Sequence, residues 1–74
     1  MRLIEGEVHK SYVVQDICLP LQTRRRLESL GMTEGMQVEI VNKKRRGAVI
    51  IRMRGTRFAI GQQIASQIQV EGEV

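Results

Sequence analysis

From Thr33 onward the apolar residues fall on every second position, and glycines punctuate the runs. Met36, Val38 and Ile40 alternate with Gln37 and Glu39, and Val49, Ile51 and Met53 alternate with Ile50, Arg52 and Arg54. Phe58 and Ile60 then alternate with Arg57 and Ala59, and Ile68 and Val70 close the series. Side chains of a strand point to opposite faces in turn, so a period of two marks strands with one face buried. The polar and basic run 42–47, ending in Gly47, reads as a loop, and Gly55-Thr56 reads as a tight turn. Residues 62–66 after Gly61 suit a single helical turn, and 67–71 a last short strand.

Upstream the pattern differs. Residues 12–17 are apolar and β-branched and read as a strand. After Pro20 comes a segment, 22–30, with no β-branched residue beyond Thr23 and many Arg, Leu and Glu, all good helix formers. Gly31 stands where a helix C′ residue belongs, because glycine enters the left-handed region without a steric penalty. Counting back places Leu27 at C3, with Met32 at C″, the pair a Schellman closure brings together. The spacing predicts Leu27 and Leu30 facing inward.

Seventy-four residues allow one domain, 1–74, with no linker or repeat. About five short strands and one short helix would leave open sheet edges unless the sheet curls on itself. The expected fold is therefore mainly β, a small SH3-like antiparallel barrel with the helix over one open end. An OB-type barrel is the rival architecture, but it usually takes longer strands.

Chemistry-bearing residues are few. Cys18 and His9 are the only thiol and imidazole, short of the four ligands a structural zinc site wants. They read as a partly buried thiol and a solvated histidine. No Ser-His-Asp set, no paired carboxylates at a strand end and no phosphate-binding glycine loop appear, so the chain reads as a non-enzyme without cofactor. No apolar run is long enough to span a bilayer, and the first ten residues lack the apolar core of a secretory signal. A single cysteine fits the same cytoplasmic placement.

The charge of +4 is unevenly spread. Ten basic residues face three acids between Arg24 and Arg57, whereas the remainder holds two bases and five acids. Such asymmetry calls for an acidic partner: protein, nucleic acid or anionic membrane. Arg24, Arg25 and Arg26 fan over roughly 200° of helix surface, so at least one must lay its stem along the barrel. Lys43, Lys44, Arg45 and Arg46 occupy the loop and suit phosphates. Single-strand recognition normally adds stacking aromatics, and Tyr12 and Phe58 are the only aromatics present. Ile50 and Ala59 face outward beside Arg52, Arg54 and Arg57, an apolar spot rimmed by arginine, which is a protein-interface composition.

The segment RRRLESLGMTEGMQVEI resembles the signature of the FeoA family, small cytosolic accessory proteins of bacterial ferrous-iron transport. Arg24 to Leu27, Leu30-Gly31-Met32, Gly35 and Val38 occupy the family's arginine-rich helix, Leu-Gly, turn and strand. Ile51, Met53, Arg54-Gly55 and Phe58-Ala59-Ile60 are similar to its second half, and Leu3-Ile4-Glu5-Gly6 to its opening. Cys18-Leu19-Pro20 and the all-basic loop depart from that pattern. The resemblance implies an SH3-like barrel acting as an adaptor on the cytosolic part of FeoB, a membrane transporter with a GTP-binding domain, and it brings no catalytic or metal-binding residues. Because the same domain is found fused to iron-dependent repressors, the family carries a link to transition-metal handling; with no DNA-binding helices ahead of it here, DNA is not an expected partner. The expected docking residues are Ile50, Arg52, Arg54 and Arg57, with Arg24, Arg25 and Arg26 as the competing surface. The alternative is a basic barrel binding RNA or another polyanion, and peripheral contact with anionic lipid at the inner membrane face is a third expectation.

Overall fold

The computed structural model describes residues 1–72. A 3-10 turn, Leu3–Glu5, precedes strand β1 (Ser11–Ile17) and helix α1 (Leu21–Ser29). Strands β2 (Gln37–Lys43), β3 (Val49–Met53) and β4 (Thr56–Ile60) follow, then the short helix α2 (Gln62–Ala65) and strand β5 (Ile68–Gly72). All five strands join one antiparallel sheet in the order β4-β3-β2-β1-β5.

Local chemistry explains the helix ends. The Pro20 carbonyl accepts the Arg24 N–H at 2.9 Å, and proline needs no donor of its own at that position. At the other end Met32 N–H donates to the Leu27 carbonyl at 3.0 Å and Gly31 N–H to the Glu28 carbonyl at 2.9 Å. These are the two bonds of a Schellman closure, and Gly31 holds the left-handed φ of 103° that it requires.

The inner face of every strand enters one core. Tyr12, Val14 and Ile17 from β1 meet Val38 and Ile40 from β2, with Val49, Ile51 and Met53 from β3. Ile60, Ile68 and Val70 complete the strand contribution, and Leu3, Leu27, Met32 and Ala65 fill the remaining space. Register shifts between Val14 and Asp16 and between Ile40 and Asn42 bend the sheet, which lets its inner faces converge. Gly6 is buried where a Cβ would overlap Ile40 Cδ1 and stand 2.8 Å from Tyr12 Cε2. The ring thereby lies against bare backbone, and its hydroxyl accepts the Glu7 N–H at 2.7 Å.

Several expectations need correction. Leu30 is 51% exposed rather than inward, because the chain reverses at Gly31 and buried Met32 takes the place beside Leu27. Strand β2 runs on through Asn42 and Lys43, which pair with Ile50 and Val49. The tight turn is Arg54-Gly55, and Thr56 already pairs with Met53 in the ladder. Cys18 is exposed rather than partly buried. Leu3, fully buried, is a core residue that alternation did not single out.

Candidate interaction surface

The β3–β4 hairpin builds the surface. Arg54 and Gly55, with φ of 53° and 78°, form its two-residue turn. Two successive left-handed residues match the twist of the flanking strands, which explains the glycine. For arginine the same conformation costs roughly 1–2 kcal/mol, so the turn holds a charged side chain at an energetic penalty. From this turn the register sets Arg52 opposite Arg57 and Ile50 opposite Ala59. All four side chains lie on the outer face, alternating with buried Ile51, Val49 and Ile60.

Ile50 and Arg52 are half-buried, whereas Arg54 and Arg57 are exposed. The structure thus brings the four hairpin residues together. Glu39 extends the row: it pairs with Arg52 across β2–β3, and its Oε1 accepts from Arg52 Nη1 at 3.1 Å. The outer row therefore reads Ser11, Glu39, Arg52, Arg57 across four strands. An open groove of about 370 Å³ lies along it, lined by Ser11, Met36, Glu39, Arg52, Arg54 and Gly55 among others. Glu39 occupies one side of Arg52, while Arg54 and Arg57 make no ion pair among the described residues.

Helix α1 approaches the same corner. A Cβ placed on Gly31 would stand 3.8 Å from Met53 Cε and 4.0 Å from Arg54 Nη1. The Arg54 guanidinium thus lies by the C-terminal end of the helix, where the negative end of the helix dipole favours a cation. Within α1, Arg24 is the arginine whose stem is half-buried; it reaches Glu34 at 3.2 Å and Glu28 at 3.8 Å. Arg25 and Arg26 are exposed and make no ion pair among the described residues. Exposed Leu21 and Leu30 bracket the three arginines in sequence.

The basic loop stands elsewhere. It connects β2 to β3 at the end of β3 opposite the Arg54 turn, roughly 13 Å away along five strand residues. Its turn is closed by Lys44 N–H to the Ala48 carbonyl at 2.8 Å, with Lys43, Lys44, Arg45 and Arg46 exposed.

The titratable groups that their surroundings shift lie in the first eighteen residues. The Arg2 backbone N–H and then its side chain hold the Glu5 carboxyl below the usual range. Lys10 does the same for Glu7 through a 2.7 Å ion pair, and Glu7 in turn raises Lys10. Cys18 Sγ donates to Asp16 Oδ2 at 3.4 Å, and that bond, with some burial, pushes the thiol up. A raised thiol is a poor nucleophile and a poor metal ligand. Among the described residues no group of three or more His, Cys, Asp or Glu converges.

The sequence that builds this sheet and helix matches the model of the FeoA domain over residues 1–72. The chain belongs to the FeoA family. FeoA proteins are small accessory domains associated with ferrous iron transport. The solution structure of FeoA from Chlorobium tepidum superposes with a TM-score of 0.92 at 21% identity, covering 100% of this chain and 71% of that one. A crystal structure of an iron uptake regulatory FeoA gives a TM-score of 0.89 at 29% identity over 99% and 97% of the two chains. FeoA of Stenotrophomonas maltophilia, a prokaryotic SH3 domain protein complexed with zinc, shares 33% identity with a TM-score of 0.77, covering 96% and 89%. The fold is thus the SH3-like one. None of the curated proteins matches the chain.

Sequence reasoning missed Glu39 as the partner of Arg52. Its outward position was legible from the alternation, but its register against β3 depends on the extra residue of the Ile40–Asn42 irregularity. It also missed that Arg54, rather than Gly55 alone, occupies the strained turn.

Proposed function

We propose that this FeoA chain is a non-catalytic adaptor that docks on the cytosolic part of a FeoB-type ferrous-iron transporter and modulates its activity. The docking surface is the outer face of the β3–β4 hairpin. One observation carries the assignment: the Ile50–Ala59 pair lies next to the Arg52–Arg57 pair on that face, with Arg54 at the tip. An apolar anchor flanked by arginines combines surface burial with charge-assisted bonds to acidic groups. The chain works in the cytoplasm, at the inner face of the membrane when docked.

The test compares two variants for binding to the cytosolic portion of the transporter, with GTP hydrolysis and iron uptake as further readouts. Ile50→Asp keeps the buried face of β3 and costs about 2 kcal/mol or more of binding. Charge reversal at Arg24, Arg25 and Arg26 has a smaller effect. Unchanged affinity of folded Ile50→Asp, with loss in the helix variant, moves the surface to α1.

The exposed Lys43–Arg46 cluster favours a second reading, binding of RNA or another polyanion. Four phosphate contacts predict a slope of about −3 in log K against log salt. Absence of binding, or a flat response, removes it.

A further inference from the structure

The two edges of the sheet are not equivalent. On the outer side of β5, Val70 N–H donates to the Met1 carbonyl at 2.7 Å, and the Met1 ammonium donates to the Val70 carbonyl at 3.1 Å. An Arg2–Gln69 bridge continues that cover. The outer side of β4 has no such cover: among the described residues its only strand partner is β3, and no further backbone bond reaches residues 56–60.

The hairpin register decides which groups the bare edge presents. A two-residue turn makes Met53–Thr56 a hydrogen-bonded pair, and such pairs alternate with open ones along an antiparallel ladder. Arg52–Arg57 and Ile50–Ala59 are the open pairs. The N–H and C=O groups of Arg57 and Ala59 therefore aim away from the sheet, and both residues are exposed. A strand placed there finds two donors and two acceptors at the regular spacing.

Side chains set the chemistry of that strand. Its residues beside Arg57 share the outer face with Arg52 and Arg57, where acidic groups are favoured. Those beside Phe58 share the inner face with a half-buried ring, where apolar groups are favoured. A second copy of this chain is disfavoured, since edge-to-edge pairing brings two Arg57 side chains to one face and joins two chains of charge +4. Arginine on an edge deters self-association and at the same time admits an acidic strand.

We infer that β4 receives an extended segment of a protein partner, alternating acidic and apolar residues, as a sixth strand paired to the backbone of Arg57 and Ala59. This rests on the docking reading above and names the form in which the partner binds.

The experiment titrates the full chain with a peptide of about ten residues alternating glutamate and valine, followed by amide hydrogen exchange. Saturation is expected to slow exchange at Arg57 and Ala59 about tenfold or more, while the Phe58 amide, already in the ladder, changes little. A peptide of equal composition with its glutamates and valines in separate blocks binds at least about tenfold more weakly. Ala59→Pro removes an outward donor and no ladder bond, so it weakens binding while the fold persists. Arg57→Glu provides the same reading without touching the backbone. Equal binding of the two peptides, no binding of the alternating one, or unprotected Arg57 and Ala59 amides at saturation overturns strand addition. Substituting the cytosolic portion of the transporter separates the two claims. Binding sensitive to Ile50→Asp with both amides unprotected retains docking and overturns the sixth strand. Protection by the peptide with no transporter binding retains the sixth strand and removes the transporter.

Discussion

Arg52 stands directly opposite Arg57 in the β3–β4 ladder, two like charges at an open pair where side chains approach most closely. Glu39 relieves the repulsion from one side only, through its 3.1 Å contact with Arg52. A fold selected for stability alone has no reason to keep the second arginine, so the pair separates stability from binding. Arg57→Gln is expected to leave the domain as stable or more stable, by about 0.2–1 kcal/mol, because a directly opposed like-charge pair disappears. The same variant is expected to bind the transporter less tightly. Thermal melting and a binding titration on one sample check both signs.

Gly31 has room but the wrong backbone for other residues. Nothing stands closer than 3.8 Å to a Cβ there, so the cost of substitution is its φ of 103°. Gly31→Val is expected to destabilise by about 1–2 kcal/mol or more. At roughly 4–8 °C per kcal/mol, the melting temperature drops by several degrees. Gly31→Asn, which tolerates the left-handed region better, is expected to lose less.

Gly6 presents the reverse case. Its φ of −69° suits any residue, but a Cβ would meet the Ile40 side chain and the Tyr12 ring. Gly6→Ala is therefore expected to cost about 1–3 kcal/mol through overpacking, despite alanine's lower unfolded-state entropy. Trimming Ile40 in the same chain, as Gly6→Ala with Ile40→Val, is expected to restore part of the loss in a denaturation midpoint. Additive losses in the double variant would show that Ile40 is not the obstacle.

Cys18 carries a chemical prediction. Asp16 holds the thiol proton and also repels the thiolate, both of which raise the thiol's pKa. A raised pKa means less thiolate at any pH below it, hence slow alkylation although the residue is exposed. Asp16→Ala removes the hydrogen bond and the charge together. Iodoacetamide labelling at pH 8 is expected to be faster in that variant than in the parent chain.

Much of this fold was legible because its determinants are local. Leu27, Gly31 and Met32 lie within six residues, and a Schellman closure is a property of that short segment. The alternation through β2, β3 and β4 needed only neighbouring positions, and it placed Ile50, Arg52 and Arg57 on one outer face. Leu30 misled for a related reason: the helical spacing was carried one residue past Ser29, where the helix ends. The exposure of Cys18 was not legible because the chain there is placed by a residue far along the sequence: the Gln67 carbonyl, just ahead of β5, accepts the Cys18 N–H at 2.9 Å.

What the sequence by itself determined is the inventory: the strands, the helix and its stop, and the basic middle of the chain between more acidic ends. Tertiary structure decided which elements meet. The Ile40–Asn42 irregularity sets Glu39 against Arg52, and the chain start folds back so that Leu3 enters the core while Met1 covers the β5 edge. That leaves β4 as the edge without cover among the described residues. Strand pairing joins residues far apart in sequence, and its register is fixed by total burial and by where extra residues are accommodated. No window along the chain contains that information, because the energy that decides it is shared by the whole core.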